Sequence, residues 1–260
     1  RNMSYFERWH NEKQRAKLIK FAEKIAEYDL KRGRSSSTYN LLSRAMSLSW
    51  GSINTMRPAS AVNIYKKYGA TSVLDFTAGW GARMIAAMAL NINYIGIDSN
   101  KKLKRGYNKI INLLKDHTTS KINMIYDRAE LVDFSKLPKY DLVFSSPPYE
   151  YLEVYEHMKN YENNGNITQN YSSKLINPDN NLGFYDSFII PTLKNAYNHL
   201  PNGKFMCLNI PENMYIKISQ RWRKCDKIDT YYIAKRVGSN ESKRNKSEVI
   251  YCWQKKTIKL

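Results

Sequence analysis

The segment Asp141-Leu-Val-Phe-Ser-Ser-Pro-Pro-Tyr149 gathers residue types that can hold and polarise a planar polar group. Leu142 to Ser145 are apolar or small and read as a buried strand. Two prolines then remove ladder donors and fix φ at about −65°, so the strand must end at Ser146 and turn sharply. Ser146, Pro147, Pro148 and Tyr149 thereby offer a hydroxyl, two rigid carbonyls and an aromatic face in one corner. At the carboxyl end of a parallel strand such a corner lies in the crevice where open α/β sheets bind ligands. The same tetrapeptide also suits a plain strand stop with a packed Tyr, so a second pattern must decide.

That pattern lies upstream, in Val73-Leu-Asp-Phe-Thr-Ala-Gly-Trp-Gly-Ala-Arg-Met84 followed by Tyr94-Ile-Gly-Ile-Asp98. A strand ends in Asp75, a Gly79-x-Gly81 turn after Phe76 and Thr77 lets backbone approach a ligand, and a helix follows. The next strand ends in Asp98. An acid about 20 residues beyond a glycine turn suits a ribose diol. Met84 stands where a dinucleotide fingerprint has its third glycine, which disfavours a dehydrogenase.

Taken together and in this order, the two motifs resemble those of the S-adenosylmethionine-dependent amino-methyltransferases of nucleic acids, whose second motif reads Asp, Asn or Ser, then Pro-Pro, then Tyr or Phe. The resemblance covers roughly residues 55 to 253. The Gly-Trp-Gly-x-Arg turn and Leu152-Glu-Val-Tyr155 are also similar to methyltransferase-like proteins of large phages and other DNA viruses. The resemblance implies an S-adenosylmethionine site formed by Asp75, Phe76, Thr77, Gly79, Gly81 and Asp98, with Arg57 near the cofactor carboxylate and Asp127 near its adenine end. No metal is implied. Ser146 and the Pro147 carbonyl would accept the amino hydrogens of a base, beside Pro148, while Tyr149 stacks on the extruded ring.

Three of these residues keep a plainer reading. Arg57 simply precedes a helix-starting Pro58, Asp127 suits a turn, and Arg83, which departs from the commoner motif, can face a phosphate, a carboxylate or Asp75. The implied reaction is methyl transfer to adenine N6 or cytosine N4 of DNA. RNA, including cap-adjacent adenosine, is an alternative substrate, and a silent nucleic-acid-binding subunit is an alternative role. Carbon-5 cytosine chemistry needs a Pro-Cys nucleophile, and Cys207, Cys225 and Cys252 are none of them preceded by Pro.

The elements needed to position these motifs alternate in the βαβ manner. Strands are expected at 73–76, 94–97, 122–126, 141–145, 204–210 and 248–254, and helices at 81–90, 101–115 and about 184–199. Alternation predicts an α/β class: a doubly wound, mostly parallel, Rossmann-like sheet, which the resemblance specifies as the class I methyltransferase type. Residues 1–54 read as a helical extension with one helix over 4–31, a basic break at 31–37 and a short helix at 39–48. The catalytic domain spans 55–260, and 150–183 is long enough to be a lid or target-recognition insertion. A second basic loop covers 235–246.

Composition bounds the partners. The chain has 42 Lys and Arg against 23 Asp and Glu, a net charge of +19, and 20 Tyr. Basic side chains gain from counterion release on a polyphosphate and aromatics stack on unpaired bases, so nucleic acid is the expected partner. An AT-rich coding bias would enrich Lys and Tyr as well. Three scattered Cys and four His suggest neither a zinc site nor a disulfide framework. With no bilayer-length apolar run, the expected setting is the interior of the host cell, cytoplasm or nucleus. Oligomeric state is left open.

Overall fold

The computed structural model describes residues 5–50, 56–149, 183–232 and 247–256; the expected insertion at 150–183, apart from Gly183, and the whole of the basic loop at 235–246 lie outside them. The chain divides into two compact units, Arg1–Thr55 and Met56–Leu260.

In the first unit, α1 (Tyr5–His10), α2 (Glu12–Leu30) and α3 (Thr38–Ser49) replace the single helix expected over 4–31 and the short one after it. The break falls at Asn11, whose side chain accepts a hydrogen bond from the Gln14 N–H at 3.1 Å and so starts a new helix. Leu18, Ala22 and Ile25, at helical spacing, bury against Ala45. Asp29 is buried and held by an ion pair to Arg44.

The second unit opens with α4 (Pro58–Lys67) and continues as β1 (Ser72–Asp75), α5 (Ala82–Ala89), β2 (Asn93–Ile97), α6 (Lys104–Leu114), β3 (Ile122–Ile125) and β4 (Leu142–Ser145). From residue 183 onward come a π-helical turn over Tyr185–Ile189, α7 (Ile190–Asn198), β5 (Phe205–Asn209), α8 (Glu212–Arg221), β6 (Lys227–Tyr232) and β7 (Ser247–Gln254). The strands form one sheet in the order β3-β2-β1-β4-β5-β7-β6. The first five are parallel; β7 runs antiparallel to both β5 and β6. This is the doubly wound, mostly parallel, Rossmann-like sheet anticipated from the motifs.

Side-chain alternation divides the core. Leu74, Ile95 and Val143 face Phe188, Leu193 and Ala196, while Val73, Tyr94 and Leu142 face Ala61, Ala86 and Tyr107. The strand order reverses between β1 and β4, so the crevice at their carboxyl ends is the place for a ligand.

Two elements were not expected. In α8 only Met214 and Ile218 are buried, a stripe too narrow to stand out in the sequence. In β6 the usual pattern is inverted: Ile228 is exposed and Asp229 buried, paired with Lys67 at 2.9 Å and Lys227 at 3.1 Å. An inward charge is a recognised guard against edge-to-edge pairing at the margin of a sheet. Among the described residues no helix is long and apolar enough to cross a membrane.

Gly96 is the point of closest approach inside the sheet. A Cβ there would lie 2.5 Å from the Met124 sulfur and 2.7 Å from the Tyr94 ring. Methionine can move, but the Tyr94 hydroxyl is held by Asp75 at 2.6 Å. Gly96→Ala should therefore lower the unfolding free energy by about 1–3 kcal/mol, read from urea denaturation, as overpacked cores do. Unchanged stability would contradict this packing.

Candidate active site

The loop after β1 is shaped by two glycines with left-handed backbone, Gly79 at φ 61° and Gly81 at φ 84°. Gly81 caps α5, and a Cβ on it would sit 3.3 Å from the Tyr107 ring and 3.4 Å from Ile110. The turn is tied to the end of β2 through Asp98. One carboxylate oxygen accepts the Gly79 N–H at 2.8 Å, and the other accepts the Asn100 N–H at 2.8 Å. The Tyr107 hydroxyl donates to the Gly79 carbonyl from below.

Burial pushes the Asp98 carboxyl up to about 6, although the Asn100 and Gly79 N–H groups pull the other way. Because folding raises this value, the group's contribution to stability is complete below the unfolded value near 3.8 and is lost as pH rises through about 6. The ionised form is thus held at a cost at neutral pH. Hydroxyl donors brought by a ligand would relieve it.

Asp75, expected among the cofactor contacts, does not line the cleft. It is completely buried, and both oxygens are occupied. One accepts from Arg83 Nε at 2.6 Å and from the Tyr94 hydroxyl at 2.6 Å; the other accepts from Ser145 Oγ at 2.8 Å and the Thr77 N–H at 3.3 Å. Ser145 also shares a 2.6 Å hydrogen bond with the Thr77 hydroxyl. Arg83 answers the three possibilities its sequence left open: it pairs with Asp75 and donates to the Thr77 carbonyl. Burial opposes its charge, but the Asp75 carboxylate outweighs burial and keeps the guanidinium firmly protonated.

Above this buried knot lies a cleft of about 690 Å³, part of it open to solvent. Phe76, Thr77, Gly79 and Asp98 line it, as does Pro148 of the Ser-Pro-Pro-Tyr corner. Gly81 shapes the turn without lining the cleft, and Pro147 is buried and does not line it either. Ser146, like Tyr149, is not among the lining residues. Its hydroxyl donates to the Asn209 carbonyl at 3.1 Å and lies 3.3 Å from the Tyr149 hydroxyl. Tyr149 in turn donates to Asn209 Oδ1 at 3.4 Å and packs partly against the core. Since the Ser146 proton is directed to Asn209, its oxygen is left with acceptor capacity.

Arg57 and Asp127 are exposed and not among the lining residues. Asp127 accepts its neighbour Arg128's N–H at 2.8 Å, a local turn contact. Several lining or supporting residues had not been singled out in the sequence. Arg128 and Glu130, a pair at 2.8 Å with little-exposed side chains, lie in the turn after β3, where two charged residues ordinarily read as solvated. Asn209 ends β5 at the same sheet edge, a position that would have marked it. Phe188 comes from the π-helical turn, for which the sequence carries no evident signal.

No family model matches the chain, and no curated protein sequence does. Solved structures similar to it include TehB from Haemophilus influenzae, at 13% identity and TM-score 0.44, covering 82% of this chain and 66% of that one. TrmN from Thermus thermophilus is 14% identical with TM-score 0.46, over 76% of this chain and 48% of that one. The type I restriction-modification system methyltransferase subunit from Streptococcus thermophilus is 13% identical with TM-score 0.46, over 79% and 45%. The chain spans less than two thirds of the length of each.

The Asp75 knot generates a direct test. Asp75→Ala would strand a buried guanidinium and should cost about 3–5 kcal/mol in urea unfolding, the range for breaking a buried ion pair on one side. A loss below about 1 kcal/mol would mean that the pair is solvated after all.

Proposed function

We propose that this chain transfers a methyl group from S-adenosylmethionine to an exocyclic amino group of a DNA base, adenine N6 or cytosine N4. The observation that supports the reading is that Asp98 and Pro148, the latter flanked in the chain by Ser146-Pro147 and Tyr149, line one cleft.

The residues present fit the cofactor. Asp98 is fixed by two backbone donors and still has lone pairs for ribose hydroxyls. Phe76, Leu103, Ala129 and Phe188 supply apolar walls for a flat ring. When bound, S-adenosylmethionine supplies an electrophilic methyl on a sulfonium.

The base is the poorer partner, because its amino lone pair is delocalised into the ring. Ser146 Oγ and the Pro147 carbonyl would accept the two amino hydrogens and favour a tetrahedral nitrogen, a stabilisation strongest in the transition state. Asn209 supports this assignment by taking the Ser146 proton. Tyr149, tethered through its hydroxyl, would stack on a base taken out of the helix. The surplus proton leaves after transfer. RNA carries the same amino groups, and the +19 charge serves either polymer.

Three measurements follow. Affinity for S-adenosylmethionine, by calorimetric titration, should fall about tenfold per pH unit once pH drops below about 6, as Asp98 takes up a proton. Ser146→Ala should slow single-turnover methyl transfer on the order of 100-fold, the scale of one preorganised hydrogen bond, with cofactor affinity unchanged. Tyr149→Ala should weaken substrate capture by roughly 5-fold to 150-fold, equivalent to the stacking energy of one base. Parental rates in both variants would remove the corner from the mechanism.

A further inference from the structure

The helix leading away from the cleft carries positive charge for which the proposed chemistry has no use. Leu103, Tyr107, Ile110, Ile111 and Leu114 turn one stripe of Lys101–Lys115 toward the core. The remaining face is basic. Lys102, Lys104, Arg105 and Lys109 are exposed and, among the described residues, none of the four forms an ion pair. With Asn108 and Asn112 they border an open depression of about 770 Å³.

Local physics disfavours this arrangement. Lys104 and Arg105 occupy the first turn of α6, the positive end of the helix dipole, where an acid would be stabilising and none is present. Arg105 and Lys109 stand four residues apart, the spacing at which like charges repel. A polyanion on this face would reverse the sign of both terms.

Position gives the patch its meaning. Asn100 and Leu103, on the same connection, line the cleft, so the charged face begins at its rim. We infer that this face of α6 holds the sugar-phosphate backbone of the nucleic acid whose base enters the cleft. The inference rests on the functional reading above and adds where the strand runs. From Lys102 to Lys109 is about 10 Å along the helix axis. That is about three phosphate-to-phosphate steps of one strand at ~3.4 Å each, which bring about four phosphates alongside the face. Arg105 can take a phosphate in bidentate fashion, and the two Asn side chains add neutral donors for phosphate or sugar.

The test compares the parent chain with a variant carrying Lys102→Gln, Lys104→Gln, Arg105→Gln and Lys109→Gln. Fluorescence anisotropy would follow fluorescein-labelled short DNA and RNA, single-stranded and duplex, over a fourfold range of salt. The plot of log affinity against log salt should be shallower in the variant by about 3, equivalent to about 60-fold over that range, for four phosphates at ~0.7–0.9 each. Melting temperature and S-adenosylmethionine affinity should match the parent's. Identical slopes, or a parent that binds no oligonucleotide, would overturn the assignment. So would a variant that loses binding to phosphatidylserine vesicles while keeping the parental oligonucleotide slope, because the face would then serve a lipid surface. A lost slope with no methyl transfer by either protein keeps the surface and removes the catalytic reading. Methyl transfer by both with equal slopes does the reverse.

Discussion

Groups from the loop after β1, the end of β4, the start of β2 and helix α5 converge on the Asp75 carboxylate. Arg83 and Tyr94 share one oxygen, and Ser145 and the Thr77 backbone share the other. Taking a carboxylate and a guanidinium out of water is expensive, and the attraction between them offsets that only where the remaining lone pairs are also satisfied. Here they are. The consequence is positional: Thr77 belongs to the glycine turn and Ser145 directly precedes the Ser146 corner, so one buried anion sets the two halves of the cleft against each other. Arg83 closes the arrangement by also holding the Thr77 carbonyl.

Everything above this knot is set by the parallel sheet. Its strands end at one edge, and the reversal of order between β1 and β4 opens a crevice there. Left-handed Gly79 brings its backbone N–H to the crevice, where it fixes the Asp98 carboxylate. Burial makes that carboxylate reluctant to ionise, against the pull of the Asn100 and Gly79 N–H groups. At the end of β5, Asn209 accepts hydrogen bonds from Ser146 and Tyr149 and so orients their hydroxyls.

Much of this was legible in the sequence because parallel strands are buried on both faces and read as short apolar runs between turn residues. The glycine turn, Asp98 and the Pro-Pro corner fall where the motifs put them. What sequence could not settle was direction. An acid at the end of β1 can face the ligand or the core, and only the fold reveals that Arg83 and Tyr94 draw Asp75 inward. Asn209 acts on Ser146 and Tyr149, some 60 residues away in the chain, a pairing that no local pattern encodes. Strand β6 escaped because its buried residue is the charged Asp229 and its exposed one the apolar Ile228, the opposite of the expected alternation. The helix boundary at Asn11 is a capping event, visible as a residue type but not as a break in hydrophobic period.

The central claim is that one cleft brings a sulfonium methyl and a base amine together. The most direct measurement is transfer of labelled methyl from S-adenosylmethionine to DNA and RNA oligonucleotides, followed by digestion to nucleosides and chromatographic identification of the product. The account predicts label in N6-methyladenine or N4-methylcytosine. Label on a ring carbon or on the ribose, or a protein that binds the cofactor and methylates no nucleic acid of either kind, would contradict it.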